Sequence, residues 1–171
     1  MAVARRFYGK YRGTVAQNVD PMLRGRIQCL VPDVLGVTPS GWAVPCFPFA
    51  GPQMGAVAIP MIGSGVWVEF EQGDPEKPIW SGGWFGNTAE VPALALASPP
   101  GVSNVVVQTL GQNSLMMSDV PGPTGGILLK SMTGALISIN DVGITLSNGR
   151  GATIAMLGNT VTVNQGALVV I

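Results

Sequence analysis

Histidine is absent from this 171-residue chain. Without an imidazole there is no Ser-His-Asp or Cys-His arrangement to activate a nucleophile. Cysteine is scarce: Cys29 and Cys46 stand alone. Neither has a CxxC companion, so a disulfide framework and a zinc site are both excluded, and the two read as buried free thiols of a protein made in a reducing compartment. Charge is scarce too, at 11% of residues against the usual quarter, while 47% are hydrophobic and the mean hydropathy is +0.40. Long apolar runs are missing, because Gly, Pro, Ser or a charge interrupts each one before the roughly 18 residues of a membrane helix. No secretory signal is expected, since Arg5 and Arg6 lead into Phe7-Tyr8-Gly9-Lys10 instead of an apolar segment. The 24 Gly and 14 Pro leave little room for long helices. As a monomer, a chain this apolar and this poor in charge would expose large apolar patches, so an oligomer is expected.

The few charges are unevenly spread. Residues 1–30 carry Arg5, Arg6, Lys10, Arg12, Arg24 and Arg26 against Asp20. Residues 31–90 carry Asp33, Glu69, Glu71, Asp74, Glu76 and Glu90 against Lys77. Two halves of one folded unit that neutralise each other account for this; the alternative is a basic docking patch. Residues 91–171 hold only Asp119, Lys130, Asp141 and Arg150.

What is present is a repeat. Apolar pairs recur at Ile127/Leu129, Ile137/Ile139, Ile144/Leu146, Ile154/Met156, Val161/Val163 and Val169/Ile171, in steps of 10, 7, 10, 7 and 8 residues, with Gly, Asn, Asp and Ser between them. A spacing of two is the strand period. Val105/Val107 and Leu115/Met117 precede the regular beat. Strands of about five residues cannot build a two-layer sandwich, and a single-chain β-helix would have three turns at most. Three identical chains resolve this. Each supplies one wall of a triangular prism, its strands pair with neighbours from other chains, apolar pairs fill the axis, and Thr145, Ser147, Thr160 and Thr162 face outward. Six stacked strands rise on the order of 30 Å, comparable to the hydrocarbon thickness of a bilayer.

The first half alternates differently. Residues 7–16, 26–31 and 42–47 read as strands, the last with Pro45 marking an edge or bulge. In Gly65 to Glu71, Val66, Val68 and Phe70 point one way while Trp67, Glu69 and Glu71 point the other. A polar connection from Gly73 to Pro78 leads into a hairpin strand at 79–85. Five or six strands without helical period imply a small antiparallel barrel. Thr88 to Gly101, with its prolines, is a linker. The expected organisation is therefore an OB-fold domain at 1–90, a linker at 91–103 and a trimeric shaft at 104–171.

Arg24-Gly25-Arg26-Ile27-Gln28 with Val31-Pro32, then Trp42-Ala43-Val44-Pro45, resemble the OB-fold strands of the central spike proteins of contractile tails. Pro60, Gly63, Val66, Val68, Phe70, Gly73, Asp74, Pro75 and Pro78 match the P-x-x-G-x-x-V-x-V-x-F-x-x-G-D-P-x-x-P signature of the baseplate assembly protein V and VgrG family. Ser118 to Gly122, Ile127 to Lys130 and Ile144 to Leu146 are similar to the start of that family's β-helix. The resemblance implies an all-β protein: an N-terminal OB-fold barrel followed by a C-terminal intertwined triple-stranded β-helix, as a homotrimer. It also implies a structural spike that a contracting sheath drives through a target envelope, with a hub protein on the N-terminal side and a PAAR-like tip protein on the C-terminal end. Made in the cytoplasm, such a protein joins a virion or phage tail-like particle and touches the target membrane only transiently.

Within that frame the expected axis residues are Ile127, Leu129, Ile137, Ile139, Ile144, Leu146, Ile154, Met156, Val161 and Val163. Val169, Val170 and Ile171 are expected to meet the tip protein, and Arg5 and Arg6 the hub. No enzyme activity, cofactor or metal is expected. Glu69 and Glu71 share one strand's polar face, which favours a solvated row over glycosidase chemistry, and Gly122 to Gly126 lack the Lys-Ser/Thr of a phosphate loop. A single-stranded nucleic-acid-binding OB protein is the competing class. Its basic cluster with Phe7, Tyr8 and Tyr11 is thin, and Trp42, Trp67, Trp80 and Trp84 lack basic neighbours, so no nucleic-acid partner is expected. A β-helical polysaccharide-binding tail protein would need aromatics along the shaft, and residues 104–171 contain no Trp, Tyr or Phe.

Overall fold

The computed structural model describes residues 5–170. The chain falls into two compact units, 1–88 and 89–171. In the first, β1 (Tyr11–Gln17), β2 (Gln28–Leu30), β3 (Val44–Pro45), β6 (Gly65–Phe70) and β7 (Pro78–Trp84) form a sheet in the order β2-β1-β6-β7-β3, and β4 (Ala50–Gly51) with β5 (Met54–Gly55) make a separate small hairpin. A short helix, α1 (Pro32–Leu35), follows β2 with proline in its first turn.

Ile27 and Ala43 exchange two backbone hydrogen bonds, of 3.2 and 2.7 Å, and so join the ends of the sheet into a barrel. The β3–β7 ladder is parallel, whereas an antiparallel barrel was expected. The reason is parity: five strands closed into a ring cannot alternate in direction all the way round, so one neighbouring pair must run the same way. Pro45 sits in that short ladder without an N–H to give, and Cys46 donates to the Trp80 carbonyl at 2.9 Å instead.

The alternation in β6 is as read. Val66, Val68 and Phe70 enter the core with Val15, Ile27, Cys29, Val31, Ala43 and Trp80, while Trp67 and Glu69 face out. Trp80 can be buried because its indole N–H donates to the Gly25 carbonyl at 3.1 Å. Gly65 lies flat beneath the Trp84 ring, where any β-carbon would collide with it. Burial pushes the Cys29 thiol up to about 12. Cys46, in contrast to the expectation of two buried thiols, is exposed, because its side chain points away from the barrel interior.

The turn between β1 and β2 is organised by Asp20, only 5% exposed. Its carboxylate accepts from the backbone N–H groups of Met22, Arg24 and Arg26 and pairs with the Arg26 guanidinium at 2.7 Å. The Arg26 side chain and those amide donors hold the Asp20 carboxyl well below the usual carboxylate range.

The second unit opens with α2 (Ala93–Leu96) in the segment read as a linker. The Asn104 side-chain amide donates to the Leu94 carbonyl at 2.9 Å, and the Ser98 and Ser118 hydroxyls are 3.1 Å apart, which ties this segment to the strands that follow. Then come β8 (Asn104–Gln108), β9 (Ser114–Ser118), β10 (Gly126–Lys130), β11 (Leu136–Asn140), β12 (Gly143–Ser147), β13 (Thr153–Leu157), β14 (Thr160–Val163) and β15 (Leu168–Val170). They form one antiparallel sheet in strict sequence order. Each ladder is made with the adjacent strand of the same chain, which corrects the expectation that ladder partners come from other chains. Connections of two to seven residues bring consecutive strands together as hairpins before any other chain can compete. Eight strands at about 4.8 Å spacing give the sheet a rise of roughly 34 Å.

Candidate interface on the C-terminal sheet

Antiparallel register decides which side chains share a face. Ile127 stands opposite Ile139, Ile139 opposite Ile144, Ile144 opposite Met156, and Met156 opposite Val161. Beside this column, Leu129, Ile137, Leu146, Ile154 and Val163 form a second. All ten residues expected on an axis thus lie on one face of one sheet. Val105, Val107, Leu115 and Met117 extend both columns to β8 without interruption.

At the other end the register differs from the sequence reading. Val161 pairs with Val170 and Val163 with Leu168, so Leu168 and Val170 continue the columns in place of the expected Val169. Residues 167–171 are apolar at every position, so periodicity carries no phase there. The phase is set by the 3-10 turn at Asn164–Gly166, where Asn164, Gln165 and Gly166 all have positive φ. Val169 and Val170 belong to β15, one of the two edge strands of the sheet; Ile171 lies outside the described residues.

The opposite face is mixed. Its central row runs Val106, Met116, Leu128, Ser138, Thr145, Ala155 and Thr162, apolar near β8 and small and polar further on. Thr145, Ser147, Thr160 and Thr162 are all on this side, as expected.

The apolar face is bare in the single chain. Ile127, Leu129, Ile139 and Ile154 are each between 42% and 46% exposed, and Val107 and Leu168 are more so. Summed over both columns this is on the order of 1,000 Å² of apolar surface, well above the few hundred that a monomer ordinarily leaves in water. Two glycines let the strands approach. Gly143 (φ 151°) and Gly126 (φ 77°) open β12 and β10, and a β-carbon on them would run into the carbonyl oxygens of Met156 and Ile139.

Comparison with known families decides what kind of face this is. Residues 104–169 match the phage baseplate V C-terminal trimerisation domain, and residues 11–85 match the type VI secretion system/phage-baseplate injector OB domain. The chain belongs to the phage baseplate V family. It is a baseplate spike-like structural protein that carries an OB domain and a trimerisation domain, and the homotrimer follows from the latter. No curated protein matches the chain. Membership in this baseplate family makes it part of a phage tail-like particle. No helix among the described residues is long and apolar enough to cross a membrane.

In this baseplate V protein the basic residues near the N-terminus are engaged within their own unit. Arg5 lies over the Phe7 ring at 5.1 Å. Arg6 approaches Asp74 at 4.0 Å, in the turn between β6 and β7, and Lys10 reaches Glu69 at 2.8 Å. Arg12 sits over Trp84 at 5.0 Å and over Trp67 at 5.8 Å, and Arg26 over Trp42 at 5.5 Å. The expectation that these tryptophans lack basic neighbours is therefore corrected. The neighbours come from across the sheet, where Arg12 stands opposite Trp67, and sequence adjacency could not reveal them. Arg6–Asp74 and Lys10–Glu69 join the basic first stretch of the barrel to its acidic second. Among the described residues, no group of three or more Cys, Asp or Glu is placed to hold a metal.

Proposed function

We propose that the trimer is the rigid shaft of a contractile machine's spike, pushed through a target envelope while seated on a hub and covered by a separate tip protein. The observation that carries this reading is the uninterrupted double column from β8 to β15. A face of that length, aliphatic at every level, packs against two copies of itself around a three-fold axis and leaves a dry interior. Such a shaft resists a brief mechanical load because every ladder must break together with an apolar axis, so its resistance is a rate and not only an equilibrium. Its roughly 34 Å rise is close to the hydrocarbon thickness of a bilayer.

The tip reading rests on β15. It is an edge strand of the sheet with Leu168 and Val170 exposed, a surface that a bound protein would cover in each of three chains. A PAAR-like protein bound there contacts Val169, Val170 and Ile171. The hub reading rests on Arg5 and Arg6 at the start of the OB unit, with Arg6 only loosely held by Asp74. Two pull-downs test these partners. A PAAR-like protein should bind the full-length trimer and not a chain ended at Gly158; equal binding removes the tip assignment. Reversing the charges of Arg5 and Arg6 should weaken hub capture; unchanged capture removes the hub assignment.

A further inference from the structure

The apolar columns explain why chains associate but not how they align along the axis. Each level of the sheet presents the same kind of aliphatic pair, so a neighbouring chain that slips by a strand still finds an apolar surface. Something else must fix the level, and the unit's rare charges are placed to do so. The meander has two margins, where the turns lie. One margin bears Lys130, at the end of β10, and Arg150, in the turn between β12 and β13. The other bears Asp119, just after β9, and Asp141, in the turn between β11 and β12. All four side chains are exposed. Basic and acidic residues are thus sorted to opposite sides of one sheet.

A three-fold ring is closed head to tail, so one margin of each chain meets the other margin of the next. The geometry points to a seam between neighbouring copies in which the Lys130/Arg150 margin docks on the Asp119/Asp141 margin and sets the axial register of the trimer. The levels agree with this. Lys130 on β10 falls between Asp119, which follows β9, and Asp141, which follows β11; Arg150 is one strand beyond Asp141. Asp141 is already oriented, because one of its oxygens accepts the Gly122 N–H at 2.7 Å, which leaves the other to face outward. A slip by two strands would carry Lys130 past both carboxylates and strand Asp119 without a cation. The charges therefore act against wrong alignments more than they add affinity, the usual division of labour between apolar and charged contacts.

This inference rests on the trimer, and its test separates the two. In a Cys46→Ser background, Lys130→Cys is combined with Asp119→Cys in one protein and with Asp141→Cys in another. Within one chain the margins are separated by a five-residue strand, about 15 Å, too far for a disulfide. Mild oxidation should convert at least one double variant into a covalent trimer on a non-reducing gel, while each single variant stays a monomer there. A native mass that gives a trimer with no covalent species in either double variant overturns the seam and leaves the trimer standing. A native mass of one chain overturns both. A charge swap supplies the second readout. K130E/R150E should lower the yield of correctly aligned trimer several-fold, and adding D119K/D141K should restore it. Equal yields in all forms would show that the charges do not set the register.

Discussion

Replacing Ile154 by aspartate places three carboxylates at one level of the proposed axis. Ile154 keeps 42% of its surface exposed in the single chain. That is on the order of 80 Å², worth about 2 kcal/mol on burial and so about 6 kcal/mol over three chains. The carboxylates add several kcal/mol each, because they would be desolvated without a cation and beside two like charges. A loss of roughly 10 kcal/mol or more lowers the association constant by about seven powers of ten, enough to abolish trimers at micromolar protein. Sedimentation velocity reads this directly: I154D should run as a monomer or aggregate and the parent as a trimer. Thr162→Asp is the control, since Thr162 lies one strand away on the opposite face and should leave the trimer intact. Acidification toward pH 4 should partly restore I154D, because a protonated carboxyl is far cheaper to bury than its anion. An intact I154D trimer at neutral pH refutes the axis assignment, and so does a T162D variant that fails to trimerise while I154D succeeds.

Three further outcomes are expected. Gly143→Ala should destabilise the C-terminal unit by about 1–3 kcal/mol, because the new β-carbon meets the Met156 carbonyl, and a lowered melting temperature of that unit checks it. Asp20 is ionised more readily in the folded barrel than in the unfolded chain. Its contribution to stability is therefore complete above the ordinary carboxylate range and drains away as the pH falls through that range toward the folded value. Asp20→Asn should lower the barrel's melting temperature at pH 7, and the gap from the parent should narrow on acidification. Last, a thiol reagent should modify one cysteine per native chain, Cys46, and reach Cys29 only after unfolding, because burial both shields that thiol and pushes it up to about 12.

Much of the architecture is legible in the chain because period and punctuation agree. Val66, Val68 and Phe70 alternate with Trp67 and Glu69, and no packing alternative could turn that strand over. The pairs from Ile127 to Val163 announce one apolar face by spacing alone, and the register puts all of them on it. Legibility ends where composition becomes uniform. Residues 167–171 are apolar throughout, so only the 3-10 turn at 164–166 decides that Leu168 and Val170, rather than Val169, join the columns. It ends again where residues meet across strands, as Arg12 does with Trp67 and Trp84.

The sequence by itself determined that this protein is all-β, that its second half owes an apolar face to other molecules, and that it carries no histidine-based chemistry. Those properties follow from side-chain type and period, which no fold can alter. Tertiary structure decided the rest. Closing five strands forced the parallel β3–β7 pair, and short connections gave each strand of the second unit a partner from its own chain. The meander carried Lys130 and Arg150 to one margin and Asp119 and Asp141 to the other. Direction, register and margin depend on how the chain turns, and a turn acts on residues far from itself.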